Sequence, residues 1–261
     1  MIENKARKPV LETVNLCHRF GQVVVADDIN VHIKAGERVG IVGPNGAGKT
    51  TFVNMITGHI RPQQGQILYM GAEITGLASR AITKLGIARS FQIPQLYISL
   101  SVRENVMIAL AARAGRSLDF WNPLKRKVWQ AEALEILEQF GLESYADRPV
   151  SVLPEGGRKL LDIALSFALK PRLLFMDEPT SGVSMQDKFG VMDTLVEVLQ
   201  RTGVTTIFVE HDMDVVYRYA ERVLVFSDGR IAADGDPQSL FADADIRRAV
   251  IGWEYRGKDE G

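Results

Sequence analysis

The stretch Gly43-Pro44-Asn45-Gly46-Ala47-Gly48-Lys49-Thr50-Thr51 limits what this chain can fold into more than any other part of it. The run Arg38 to Val42 before it predicts a strand. The run Thr51 to Thr57 after it predicts a helix that begins within the Gly-rich loop and stops at Gly58, with Pro62 close behind. Glycines at 43, 46 and 48 let the backbone turn its N–H groups inward around an anion, and the helix adds its positive N-terminus. A loop of this kind grips phosphate. Lys49 is placed to reach the β- and γ-phosphates of a nucleotide, and Thr50 to hold Mg²⁺ through its hydroxyl. The motif does not say what hydrolysis would drive.

Two later strands bring further chemistry to the same kind of position. Leu173 to Met176 is an apolar run that ends in Asp177 and Glu178, and open α/β sheets place their ligands at strand ends. Asp177 suits Mg²⁺, directly or through water, and Glu178 suits polarising an attacking water as general base. Thr205 to Val209 likewise leads to His211, whose imidazole is expected to hydrogen-bond a γ-phosphate and help position water. Gln92, in Ser90-Phe91-Gln92-Ile93-Pro94, is a candidate switch whose amide reaches the metal or the water when ATP is present. Phe20, ahead of Gly21, is a candidate to stack on adenine, the alternative being a core aromatic.

Around these motifs, residues 10 to 42 predict a meander of short strands: Val10 to Leu16, Val23 to Ala26, Ile29 to Ile33 and Arg38 to Val42. Apolar residues at three- and four-residue steps over Val102 to Ala114 and Val128 to Phe140 predict a helical lobe. Between them, Gly115 to Pro123 with Lys125-Arg126-Lys127 reads as a solvated connector. From Leu173 on, strands alternate with helices over Gln186 to Gln200 and Met213 to Ala220, then a strand over Val223 to Phe226, which implies a largely parallel sheet covered by helices.

Composition excludes several classes. The 31 basic and 32 acidic residues give a net charge of −1, so no global field draws the chain onto nucleic acid or an anionic bilayer. The single Cys17 cannot form an internal disulfide, and Met1 to Lys5 lacks the apolar run of a secretory signal, which fits a reducing cytoplasm. The longest apolar stretch, Leu160 to Phe175, is interrupted by Asp162, Lys170 and Arg172, so a membrane role has to come through partners. There is no Asn-Lys-x-Asp motif to read guanine.

The phosphate loop, Gln92, Asp177-Glu178 and His211, in this order and at these separations, resemble the ATP-binding subunits of ABC transporters over nearly the whole chain. Gly86 to Gln92, Ser101 to Val106 and the connector near Trp121 look like the branched-chain amino-acid importer ATPases of the LivG type. The resemblance implies an α/β fold: a P-loop NTPase (RecA-like) core with an N-terminal antiparallel β subdomain and an inserted α-helical subdomain. The implied layout is one domain over residues 10–254, helical over about 93–165, with a flexible tail at 255–261.

The same resemblance implies ATP and Mg²⁺ as cofactors, two multi-span permease subunits, a second ATPase subunit, and indirectly a solute-binding protein. Nucleic acid is not an expected partner. The location it implies is peripheral, on the cytoplasmic face of the inner membrane. Phe20 matches the family's adenine-stacking aromatic, and the permease contact is expected at Ile93 to Ser101, with Leu96 and Tyr97 exposed. The competing readings are an ATPase of another ABC class, such as a lipopolysaccharide exporter, and a non-transport ABC ATPase. The latter would carry a coiled-coil insertion, a zinc module or a basic stripe.

Two segments depart from the family pattern. Where the family has Leu-Ser-Gly-Gly-Gln, this chain has Leu153-Pro154-Glu155-Gly156-Gly157-Arg158, so that either Pro154 or Glu155 takes the serine position. Either register brings a carboxylate toward a phosphate and calls for Glu155 to be turned away, used as a helix cap, or paired by Arg158 or Lys159. In Thr180-Ser181-Gly182-Val183-Ser184, Ser184 replaces the aspartate of the loop that links the two sites of the dimer. Both point to a heterodimer in which another chain's signature completes the Lys49/Glu178 site.

Overall fold

The computed structural model describes residues 9–90, 95–115 and 127–251. The chain opens with a long hairpin, β1 (Pro9–Phe20) and β2 (Val23–Lys34), and passes through β3 (Arg38–Val42) into helix α1 (Lys49–Ile56). Strands β4 (Gln64–Tyr69) and β5 (Ala72–Glu73), helix α2 (Ser79–Lys84) and strand β6 (Ile87–Ser90) follow. Then come the helices α3 (Val102–Arg113), α4 (Lys127–Gln139) and α5 (Glu155–Ala168). The remainder alternates: β7 (Leu173–Asp177), α6 (Lys188–Thr202), β8 (Thr205–Val209), α7 (Met213–Tyr219), β9 (Arg222–Ser227), β10 (Arg230–Gly235), α8 (Pro237–Ala242) and α9 (Ala244–Ile251).

The strands form two sheets whose burial patterns differ for a physical reason. In the antiparallel sheet, ordered β2-β1-β4-β5, β2 alternates from Ile29 to Lys34 between buried and exposed residues because one face packs and the other is solvated. In the second sheet, ordered β10-β9-β3-β8-β7-β6, β10 runs antiparallel to β9 and the other strands are parallel. All five residues of β8 are buried, as are the first four of β7, because helices or the first sheet cover both faces. Alternate residues serve opposite faces. Ile41, Phe175, Ile207 and Phe226 pack with α1 and the antiparallel sheet, while Val42, Leu174, Phe208 and Val225 pack on the side of the helices α3 to α6.

The structure corrects three expectations. Val23 to Ala26 and Ile29 to Ile33 are one strand, β2, because Asp28 takes a left-handed φ of 56° within a bulge. Its carboxylate accepts hydrogen bonds from Asn15 (2.6 Å) and Asn30 (2.9 Å), so an Asp-Asp pair that resembles a turn is absorbed into the ladder. The meander also stops after β2. Strand β3 leaves it to pair with β8 and β9, which carries the phosphate loop to the carboxyl edge of the parallel sheet. Leu96 is partly buried against the main core, and among the described residues of that segment Tyr97 and Ile98 are the exposed large apolar ones. Buried Asn105 holds this turn, accepting from the Tyr97 N–H and donating to the carbonyls of Tyr97 and Ser101.

Helix α3 starts at a capping box: Ser101 Oγ accepts from the Glu104 N–H at 3.1 Å, and Glu104 returns the bond to the Ser101 N–H at 2.8 Å. Strands β4, β5, β6 and β10 and helices α2, α8 and α9 have no counterpart in the sequence expectations. The Gly115 to Pro123 connector beyond Gly115 and the 255–261 tail lie outside the described residues.

Candidate nucleotide-binding and hydrolytic site

The backbone between β3 and α1 turns at three glycines, two of which no other residue can replace without moving the protein around them. Gly43 (φ 143°) and Gly48 (φ 99°) both lie at positive φ. A Cβ at Gly43 would sit 2.2 Å from the Phe226 carbonyl oxygen, and one at Gly48 would sit 2.1 Å from that of Val25. Gly46 (φ 83°) faces open space and answers only a conformational demand. Gly48→Ala is therefore expected to weaken ATP binding by about tenfold or more, since left-handed backbone strain and the clash each cost on the order of 1–3 kcal/mol. Calorimetric titration with ATP measures this, and unchanged affinity would show that the loop tolerates the shift.

Lys49 is buried and turns back on its own loop, donating to the carbonyls of Gly43 and of Pro44 (2.9 Å). Burial holds its ammonium below the ordinary lysine value, and the carboxylate of Glu178 opposes that shift. Asn45 to Thr51 line a cleft of about 530 Å³, together with Asp177, Glu178 and His211. The expected residues thus converge from the ends of three neighbouring strands, β3, β8 and β7. Glu178 sits at φ 46°, a strained value for a residue other than glycine, while its N–H still donates to Val209 at 2.9 Å. His211 Nε2 lies 3.4 Å from Glu178 Oε1.

Gly43 and Pro44 form the entrance of the loop and are not among the cleft-lining residues. Phe20 is not a core aromatic: it is 52 % exposed at the tip of the β1–β2 hairpin, with His18 edge-on at 4.8 Å. Val25 of the same hairpin lines the cleft. Gln92 lies outside the described residues; Gln95, three positions on, lines the cleft.

Several site residues escaped the sequence reading. Arg89, on β6, directs Nε (2.9 Å) and Nη2 to Asp177 Oδ2 and Nη1 to Asn54 Oδ1 (2.6 Å) on α1. The available signal was an arginine in the short run Ile87-Ala88-Arg89-Ser90, just ahead of Gln92. Lys159, on α5, is buried with Nζ 3.3 Å from the Glu178 carbonyl oxygen, and desolvation pulls its ammonium below the ordinary value. It meets the backbone at the Glu178 carbonyl, and Glu155 is the weakest of the carboxylates acting on it.

Glu155 stands in the first turn of α5, whose N-cap, Pro154, offers no side-chain cap. Its carboxylate lies 3.8 Å from Arg158 and packs beside Gly182, so the altered signature and the linking loop touch within one chain. Ser184 is satisfied locally, donating to Asp187 Oδ2 at 2.7 Å and accepting from the Asp187 N–H at 3.2 Å.

A family model described as ABC transporter matches residues 26–181. The chain belongs to the ABC transporter family. This cassette is 32 % identical over 252 residues to the high-affinity branched-chain amino acid transport ATP-binding protein LivG of Escherichia coli K12, covering 94 % of the chain and 98 % of that protein. It is 31 % identical to BraF of Pseudomonas aeruginosa, a protein of the same description, at the same coverage. Among solved structures, the ADP conformation of MJ1267, an ATP-binding cassette of an ABC transporter, superposes with a TM-score of 0.82 at 27 % identity, covering 92 % of this chain and 98 % of that one. The resemblance to the LivG type and the P-loop NTPase fold are thereby borne out. The cassette is an ATP-binding ATPase.

Proposed function

We propose that this cassette hydrolyses ATP to drive uptake of branched-chain amino acids, or of a related small solute, through partner permeases. The observation that carries the reading is the convergence of Lys49, Thr50, Asp177, Glu178 and His211 on one cleft in a chain similar over 94 % of its length to an amino-acid transport cassette. That similarity favours uptake over the lipopolysaccharide-export reading.

The chemistry assigned to each residue follows from its position. The Lys49 ammonium moves from the Gly43 and Pro44 carbonyls onto the β- and γ-phosphates, and the loop N–H groups from Asn45 to Thr51 hold the remaining oxygens. Glu178 accepts the proton of a water whose oxygen attacks the terminal phosphorus. The bond to the bridging oxygen breaks, and ADP and phosphate leave. His211, beside Glu178, orients that water or the γ-phosphate.

The hydroxyl of Thr50 and the carboxylate of Asp177 are hard oxygen donors lining the same cleft, a set that fits Mg²⁺, which takes few protein ligands beside substrate phosphates. Held there, the ion would supply neutralisation of phosphate charge, and Arg89 keeps Asp177 at its strand end. Phe20 at the hairpin tip is assigned to adenine, and Gln92 to sensing the γ-phosphate. The helices α3 to α5 are assigned to the inserted helical subdomain.

Among the described residues no helix is long and apolar enough to cross a membrane, so the membrane contact is assigned to partners. Exposed Tyr97 and Ile98 form the permease contact of this proposal. Replacing both by serine is expected to lower solute-stimulated ATPase activity by about tenfold, with ATP affinity unchanged and stability within roughly 0.5 kcal/mol, as for other surface positions. Lost nucleotide affinity would instead assign them to the cassette itself.

Purification of the tagged cassette from membranes tests the whole reading. Two multi-span permeases and a second ATPase chain are the expected company, and stable association with DNA or ribosomes in their place would end the transport reading.

A further inference from the structure

We propose that Glu210 is a positioning residue that sets the geometry between Glu178 and His211. It is 3 % exposed, at the turn between β8 and α7. Its Oε1 accepts from the Thr180 N–H at 3.0 Å and from the Thr180 hydroxyl at 2.6 Å. Its Oε2 accepts from the N–H groups of His211, at 3.0 Å, and Asp212, at 3.4 Å. Four donors thus converge on two oxygens, an arrangement that a carboxylate satisfies and an amide cannot, because an amide NH₂ would face N–H or O–H donors.

Thr180 lies two residues beyond Glu178, and the His211 N–H belongs to the peptide that carries the imidazole. One buried side chain therefore ties the backbone after the β7 acids to the backbone that aims His211. The second side of His211 is anchored in the same direction. Asp212 caps α7 through the Asp214 and Val215 N–H groups, and its other carboxylate oxygen pairs with buried Lys188 on α6. Both flanks of His211 are tied to the 180–188 segment, and the imidazole projects between them to within 3.4 Å of Glu178. Buried polar groups held this completely fix orientation, and groups near reacting atoms lose rate steeply when their placement loosens.

The inference rests on the proposed roles of Glu178 and His211 and gives Glu210 no contact with substrate. Its test is a double-mutant cycle in the transporter complex co-purified with the full chain, reading kcat and KM for ATP together with thermal unfolding. His211→Ala is expected to lower kcat by about a hundredfold, the scale for losing a positioned hydrogen-bond donor at the reacting group. Glu210→Gln is expected to lower kcat by about tenfold with KM within roughly twofold, and the double variant to match His211→Ala alone within about twofold.

A merely structural role predicts that the two losses multiply, and that outcome, or an unchanged kcat in Glu210→Gln, overturns the proposal. Full activity in His211→Ala overturns the underlying reading of His211 instead. Should Glu210→Gln fail to fold, Thr180→Val, which removes the 2.6 Å hydroxyl contact while keeping the volume of the buried side chain, carries the same cycle. It is expected to lose about threefold in kcat alone and nothing further beside His211→Ala, a second multiplicative loss being the contrary result.

Discussion

Glu178→Gln is expected to lower ATP turnover by about 10²–10⁴-fold while leaving ATP affinity within roughly threefold. The amide keeps the size of the side chain, its place at the end of β7 and the left-handed backbone at φ 46°, so the nucleotide cleft stays built. What is removed is the carboxylate beside His211, the group assigned to take a proton from the attacking water. Single-turnover hydrolysis in the assembled transporter reads this directly. If turnover persists here while the equivalent substitution in the partner ATPase abolishes it, the roles of the two composite sites are reversed.

Arg89→Ala is expected to produce the largest loss of stability at the site, about 3–5 kcal/mol in the free energy of unfolding, the range for stranding one member of a buried ion pair. Arg89 and Asp177 side chains are only 11 % and 16 % exposed. The same guanidinium also joins β6 to α1 through Asn54, so its removal leaves both a carboxylate and an amide without this partner. Arg89→Lys is expected to rescue little, because a lysine cannot serve Asp177 and Asn54 together as the planar fork does. Denaturant unfolding with an unchanged slope measures the loss, and a change below about 1 kcal/mol would place the pair among the inexpensive surface contacts.

The parts of the site that sequence made legible are those whose chemistry is local. The loop from Gly43 to Thr51 carries its own conformational demand in its glycines, and the runs Leu173 to Met176 and Thr205 to Val209 are continuous and apolar because parallel strands are buried on both faces. Asp177, Glu178 and His211 follow those runs immediately, so their arrival at one edge could be inferred without coordinates.

The parts that stayed hidden depend on partners far along the chain. Arg89 meets Asp177 across 88 positions, and Glu210 meets Thr180 across 30. Each looks like an ordinary polar residue, Arg89 within a short strand and Glu210 just past one, until the sheet order brings its partner alongside. Leu96 and Tyr97 are adjacent in sequence, but the turn held by Asn105 sends the first toward the core and the second to solvent. Lys159 shares a helix face with Glu155, and its Nζ reaches the Glu178 carbonyl oxygen at 3.3 Å while Glu155 lies 3.8 Å from Arg158. The segment with Glu155 keeps both glycines, and its carboxylate rests beside Gly182 and near Arg158.

The central claim is that the cleft holding Lys49, Thr50, Asp177, Glu178 and His211 powers solute uptake in a complex that another ATPase chain completes. It is tested most directly by purifying that membrane complex intact and measuring ATP hydrolysis while solutes are supplied one at a time through a solute-binding protein. The account predicts hydrolysis that rises with a branched-chain amino acid or a closely related small solute and collapses with Glu178→Gln in this chain. Hydrolysis indifferent to every such solute, or undiminished by Glu178→Gln, would contradict it.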